Sequence, residues 1–419
     1  MKRSNYRRFI LLWVGQLISS IGGGLSSFGL GVYIFEQTGS AASMALVTLV
    51  AFFPTLILGV PAGILADRYD RRLLMMIGDG CSALGIAYIL ICVSVGDVGL
   101  YQICIGVAIA SVFSSLLEPS YRATVSDMLN EKEFSRASGL VNLSGSARYL
   151  ISPVLAGFLL SVFDIRIVLA IDIVTFFFTV VCTGVARNGL MNKTSRMRST
   201  LRNSFKEGWD AVTEKRGIII MVVMSSVITC MMGFMQVLAE PMILSFTDSR
   251  TLGVSETICA SGMLVSGVYL GVIGIKKNFL KVLSVSLMIA GFSMLLFGCK
   301  ENIVIVCIGG FVFFAMLPFA NNCLDYIMRV NIATEVQGRA WGLIGFISQL
   351  GYVVAYCIAG VLADTIGDIL KIGVGRGSAW VVQLSGIILI VTAGILFRIR
   401  PVREVAANAC KREELFIDD

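Results

Sequence analysis

The sequence predicts an all-α membrane protein with twelve transmembrane helices in two pseudo-symmetric six-helix bundles. Three observations carry this. Apolar runs of roughly 20 residues, the length that crosses a bilayer as a helix, recur along all 419 residues. Only 15% of residues are charged and 56% are hydrophobic, whereas a soluble domain carries about 25% charged residues. The basic stretch 187–216 divides the apolar runs six and six. Alternating segments of about 10 residues, the mark of a membrane β-barrel, are absent.

The elements follow in order. The N-terminal MKRSNYRR is basic and leads into an apolar run at 9–35. That run is too long for the core of a signal peptide, so it is read as a retained first span. The second and third spans, 42–66 and 73–95, flank the charged residues Asp67, Arg68, Asp70, Arg71 and Arg72. The fourth, 100–121, contains Glu118 and Pro119 near its end. The fifth, 137–162, contains Arg148 and the stretch SPVLAG, and the sixth, 166–187, contains Asp172. Residues 1–187 are therefore expected to form an N-terminal bundle.

Residues 188–216 are read as a cytoplasmic linker. Within it Leu201, Phe205, Trp209 and Val212 are spaced as one helical stripe. An interfacial helix and a solvated connection both fit that pattern. The seventh span, 217–246, carries Glu240 before Pro241. The eighth, ninth and tenth follow at 254–275, 280–299 and 302–328, the tenth with Pro318 and Asp325. The eleventh and twelfth lie at 337–363 and 379–400. Residues 217–402 form the expected C-terminal bundle and 403–419 a cytoplasmic tail. SGLVNLSGSARYLISPVLAG in the fifth span and WGLIGFISQLGYVVAYCIAG in the eleventh share Gly-Leu and Ala-Gly at the same interval. Such a match at corresponding places points to duplicated halves with a substrate path between them.

Charge sets the orientation. With the N-terminus in the cytoplasm, only Arg166, Arg250, Lys300, Lys371 and Arg376 of the 34 Lys and Arg fall in outer loops, and Arg148 falls within a span. This bias places both termini in the cytoplasm. The net charge of +7 then reflects topology, and no nucleic-acid partner is expected. The chain has no histidine, and its eleven cysteines show no metal-like or disulfide spacing. No metal, cofactor or enzyme activity is expected. The glycines at 373–377 lack the lysine and Ser/Thr of a phosphate loop. Energy must come from an ion gradient or from the substrate's own gradient.

Ionisable residues inside spans are costly and mark function by default. Arg148 and Asp172 fall at similar depths, where a structural ion pair and a substrate or proton role both stay open. Glu118 and Asp325 lie toward inner helix ends and Glu240 toward an outer one; cavity, gate and interfacial positions are the alternatives. Asp79 is expected to support the charged loop.

Arg71 and Arg72 are accounted for by topology alone, but Asp67 is not, because carboxylates contribute little to orientation. Twelve helices, a 6+6 division and this loop resemble the major facilitator superfamily. Its loop signature, approximately G-x-L-A-D-R-x-G-R-K/R, is matched by Gly63, Leu65, Ala66, Asp67, Arg68, Arg71 and Arg72, with Asp70 where glycine is usual. SPVLAG is similar to the fifth-helix motif of the family's antiporters through Pro153 and Gly157, with Ser152 in place of glycine. TEVQGRAWGL, AGVLAD and GVGRGSAW resemble the drug:proton antiporter branch that includes macrolide-efflux proteins. The arginine often found in that family's fourth helix, tied there to proton transfer, has no counterpart here.

The resemblance implies a secondary active exporter of an amphipathic small molecule, exchanging it against protons by alternating access in the cell membrane, as a monomer in the lipid bilayer. It implies a conformational latch at Gly63, Asp67, Arg68, Arg71 and Arg72, facing the start of the eleventh helix. It makes Glu118 and Asp325 cavity candidates. A lysophospholipid or lipid flippase is the alternative, with Arg148 holding an anionic headgroup. A non-transporting receptor or scaffold is the remaining one.

Overall fold

The computed structural model describes residues 5–96, 98–187, 201–275, 278–333 and 336–417. These residues hold sixteen helices, and twelve membrane-length apolar segments are built from them. Large apolar side chains such as Leu84, Phe177 and Val268 are exposed on them, as suits a hydrocarbon solvent. The chain divides into two compact units, Met1–Met197 with Thr247–Thr257, and Arg198–Phe246 with Ile258–Asp419.

The first unit contains α1 (Tyr6–Thr38), α2 (Ala41–Arg68), α3 (Arg71–Val95), α4 (Leu100–Ser114), α5 (Leu117–Met128), α6 (Glu131–Leu150), α7 (Ser152–Val162) and α8 (Ile165–Arg187). Helix α1 ends at Gly39, whose left-handed backbone (φ 60°) lets its N–H reach the Phe35 carbonyl at 2.8 Å. Ser40 then caps α2 by accepting from the Ser43 N–H at 3.2 Å. The fourth and fifth spans are each interrupted, near Pro119 and Pro153. A proline lacks an N–H and crowds the preceding turn, so the helix restarts there as α5 and as α7. Helix α1 packs chiefly on α8, α6 and α7. One end of the bundle is closed by a cluster including Phe9, Leu12, Met75, Tyr121 and Met128.

The second unit contains α9 (Leu201–Thr213), α10 (Arg216–Leu244), α11 (Ser249–Ile273), α12 (Phe279–Phe297), α13 (Ile303–Asn331), α14 (Gln337–Ile369), α15 (Gly373–Arg398) and α16 (Arg400–Ile417). The first turns of α11, to Thr257, cluster with the first unit. Asp248 caps α11. Bonds from the Thr251 side chain and from its N–H, at 2.9 Å, hold the Asp248 carboxyl below its ordinary range. Helix α10 is the most enclosed span and packs on α14 and α15.

Three features differ from the sequence reading or go beyond it. Helix α15 begins at Gly373, so the glycines at 373–377 are helical rather than loop. A side chain at Gly377 would meet the Ala363 carbonyl, and the glycine lets α15 approach α14 closely. The expected tail is helix α16, docked through buried Val402, Val405 and Ala406. Asn331 Nδ2 donates to the Val405 carbonyl at 2.9 Å, and Lys215 Nζ donates to the Asn331 carbonyl at 3.1 Å. The described part of the linker forms helix α9, with Val212 buried. Its Glu207 pairs with Arg339, near the start of α14. Residues 188–200, the side chains of Leu201 and Phe205, and Thr334 and Glu335 of TEVQGRAWGL lie outside the described residues.

Candidate functional site

The charged loop is built around Arg71. Its Nη1 donates to Asp127 Oδ2 at 2.5 Å and to the Ala123 carbonyl at 3.2 Å, and its Nε donates to the Ala66 carbonyl at 3.0 Å. Its Nη2 reaches Asp67 Oδ1 at 3.4 Å. One guanidinium thus ties the end of α2 and the start of α3 to α5, using the planar fork that lysine lacks. Asp70, the departure from the glycine pattern, has an ordinary extended backbone (φ −64°). Glycine is not needed there. The carboxylate instead caps α3 by accepting from the Arg72 N–H at 3.1 Å and pairs with Arg187 at 2.8 Å. Arg72 is buried, Arg68 is exposed and Gly63 is half-buried.

The fifth-span motif packs against the opening turns of α11, within the first unit. A Cβ added at Gly157 would stand 2.5 Å from the Ser249 carbonyl. One added at Gly253 would collide with the carbonyl of Pro153. Thr257 donates to the Leu150 carbonyl at 2.9 Å. Pro153 and Gly157 therefore form a seam where two backbones touch, and small residues permit that approach.

The intramembrane charges separate by environment. Glu118 is exposed on α5 and pairs with Arg122 one turn on, at 2.8 Å. Asp325 is exposed on α13, one turn before Arg329, whose guanidinium lies 5.7 Å from the Trp341 ring centre. Glu240 is half-buried on α10. One turn earlier, Gln236 Oε1 accepts from the Tyr356 hydroxyl at 2.9 Å. Helices α10 and α14 are further joined by hydroxyls. Ser226 donates to the Ile347 carbonyl at 2.7 Å, Thr229 donates to the Ser348 carbonyl at 2.5 Å, and Ser225 bonds Ser348.

Of the two readings left open for Arg148 and Asp172, the structural ion pair is not formed. Arg148 is exposed and donates to Ser27 Oγ at 3.0 Å. Asp172 is 1% exposed and lies against Gly22 of α1, with Thr175 Oγ1 at 3.5 Å from its Oδ1. The depths do match, but an ion pair also needs the two side chains to point at each other, and sequence spacing does not give that. Asp79 also departs from expectation. It is not part of the charged loop but is 0% exposed inside the bundle, on the side of α3 that meets Ser19 of α1. Its sequence signal was an acid within an apolar run.

The arrangement resembles known transport proteins along most of its length. The family model described as Major Facilitator Superfamily matches residues 12–356. Macrolide efflux protein A of Streptococcus pyogenes is 23% identical over 374 residues, which is 87% of this chain and 92% of that protein. A multidrug efflux pump of Mycobacterium bovis is 20% identical, covering 88% of this chain and 90% of its own length. Among solved structures, a nucleoside transporter superposes with a TM-score of 0.76 at 13% identity, over 93% of this chain and all (100%) of its own.

Proposed function

The chain belongs to the Major Facilitator Superfamily, and from that premise we propose that it is a secondary active exporter that exchanges an amphipathic small molecule or drug against protons by alternating access. It is a multi-pass membrane transporter. What supports the finer reading is the breadth of its similarity to efflux proteins, which covers nine-tenths of their length. On this reading the chain works as a monomer in the cell membrane, with both termini cytoplasmic and with 1–187 and 217–402 as its two moving halves. Asp67, Arg68, Arg71, Arg72 and Gly63 serve as the latch that steadies one conformational state. Glu118, Asp325, Glu240, Arg148 and Asp172 are the groups from which coupling and substrate binding are drawn.

The test is transport of a macrolide by the purified protein in proteoliposomes, with and without an imposed pH gradient. Accumulation that needs the gradient supports the proposal, and equal movement without it removes the proton. The orientation is tested separately. A Lys206→Cys label that reacts from outside intact cells would reverse it. One observation favours a second reading. Arg148 is a cation within a span whose side chain is exposed and not ion-paired. It suits the headgroup of an anionic lysolipid, as in a flippase, and fluorescent lysolipid in the same vesicles decides between the two.

A further inference from the structure

Buried polar oxygens gather along one face of α1. Gln16, Ser19, Gly22 and Ser26 recur at helical spacing and share that face. Asp79 of α3 stands beside Ser19, and Asp172 of α8 lies against Gly22 with Ser26 beside it. A side chain at Gly22 would come within 2.9 Å of Asp172 Oδ1, so the glycine lets the carboxylate rest on the helix backbone. Gly80 lies against Val180, eight residues along α8 from Asp172. The two acids are therefore stepped by roughly 12 Å in depth at 1.5 Å per residue, yet Asp79 still lies within the field of Asp172.

The atoms left without partners are mostly pure acceptors. Asp79 Oδ1 and Oδ2, Asp172 Oδ2, Gln16 Oε1 and Ser26 Oγ are buried and have no hydrogen-bond partner within 3.5 Å, although the Ser19 hydroxyl stands near Asp79 and the Ser26 hydroxyl near Asp172. Ser26 is itself 3% exposed. Buried polar groups are nearly always bonded, and a cluster that is not needs an explanation. Four of these five atoms can only accept, and Ser26 brings a single hydroxyl proton, so acceptors outnumber donors at the site. Among the described residues neither acid has an Arg or Lys nitrogen within the 4.0 Å of an ion pair. Arg148 is the cation that acts on Asp172, and its hydrogen bond goes to Ser27. The other charged groups on packed elements sit at helix ends or on an exposed face. They are Arg7, Arg8 and Glu36 on α1, Asp67 and Arg68 on α2, Arg71 and Arg72 at the start of α3, Glu118, Arg122 and Asp127 on α5, Glu131, Lys132, Glu133 and Arg136 at the start of α6, and Arg166 and Arg187 at the two ends of α8; α4 and α7 carry none.

We infer that Asp79 and Asp172, with the α1 face of Gln16, Ser19 and Ser26, form an internal binding path for a small monovalent cation, a proton or Na⁺, contained within the first unit. The inference rests on the reading of the chain as an ion-coupled transporter and assigns the coupling ion a place away from Glu118. A hard cation seeks oxygen ligands, and a proton supplies the donor that these acceptors lack. Binding at Asp172 changes the charge pressed against α1 at Gly22, and binding at Asp79 changes the charge beside Ser19. Either change biases how α1 packs on α8 and α6.

The test needs no transport substrate. Full-length protein labelled with ¹³C-aspartate is reconstituted in neutral lipid vesicles and followed by infrared spectroscopy across pH, with parallel binding of ²²Na⁺. A pH-dependent band from a protonated aspartate carboxyl, lost in part in Asp79→Asn and in Asp172→Asn, supports a proton path. Saturable ²²Na⁺ binding lost in the same variants supports a Na⁺ path. Neither signal, or a signal that both variants retain, overturns the inference. Should the Asn variants fail to fold, Ser26→Ala is the milder probe and is expected to shift the midpoint of whichever signal is seen; an unmoved midpoint counts against the site. A chain that binds the cation here but moves no macrolide under a gradient would refute the proposed function and leave this site standing.

Discussion

Arg148 donates to the hydroxyl of Ser27, and Asp172, the acid at matching depth, stands beside Ser26 instead. The two charges thus stand beside adjacent hydroxyls of α1 rather than pairing with each other. The substitutions Arg148→Gln and Asp172→Asn should then be nearly independent in stability. We expect a coupling below about 1 kcal/mol in a double-mutant cycle, well short of the 3–5 kcal/mol associated with breaking a buried pair. Denaturant or thermal unfolding in detergent measures it. A coupling of several kcal/mol would mean that the ion pair forms in the membrane after all.

Asp67 and Asp127 both pair with Arg71 but at different quality. The Asp127 contact is 2.5 Å and the Asp67 contact 3.4 Å, with Asp67 the more exposed acid. Asp127→Asn should therefore lower thermal stability more than Asp67→Asn, because the shorter pair belongs to a network of hydrogen bonds. Exposed ion pairs contribute only about 0–1 kcal/mol. Asp67→Asn should instead lose most export at normal expression, since the latch reading gives its charge a role in one conformational state. Unimpaired export in that variant would return the cluster to a topology signal.

Glu118 is paired with Arg122 on an exposed helix face, so removing its charge should leave folding intact. If it carries the exchanged proton, Glu118→Gln should abolish accumulation of a macrolide under a pH gradient while equilibrium binding of the same macrolide persists. The amide keeps the shape and removes the titrating group. Continued accumulation would pass the coupling role to the buried acids Asp79 and Asp172.

Much of this was legible in the chain before its fold. Span positions follow from apolar length, and the charged loop announced itself by Asp67, which topology does not require. Pro119 and Pro153 mark where the fourth and fifth spans break, through the missing N–H. The rest depends on rotation of each helix about its axis, which composition leaves open. Asp79 and Asp172 are both acids in apolar runs, yet only the packing of α1 between its neighbours shows that they share its Ser19–Ser26 face. Helix α16 escaped notice because residues 400–417 are polar overall, and its buried Val402, Val405 and Ala406 form too narrow a stripe to read as a docked element. The start of α15 was hidden by glycines that usually signal a turn and here permit close packing.

The seam of Pro153, Gly157 and Gly253 offers a test that separates packing from helix propensity. In an exposed helix interior, Gly→Ala stabilises by about 0.5–1 kcal/mol. Gly139 of α6 has open space where a Cβ would stand, so Gly139→Ala should be neutral or stabilising. At Gly253 the added carbon would be driven into the Pro153 carbonyl, and at Gly157 into that of Ser249. Neither obstacle is a flexible side-chain tip. Backbone must move, at a cost of about 1–3 kcal/mol for overpacking, which exceeds the propensity gain. Gly157→Ala and Gly253→Ala should therefore each lower the melting temperature in detergent, and together they should cost less than the sum of the two. The first substitution already separates the helices that the second would push apart. Stabilisation by either alanine would show that α7 and the opening turns of α11 do not touch in the membrane.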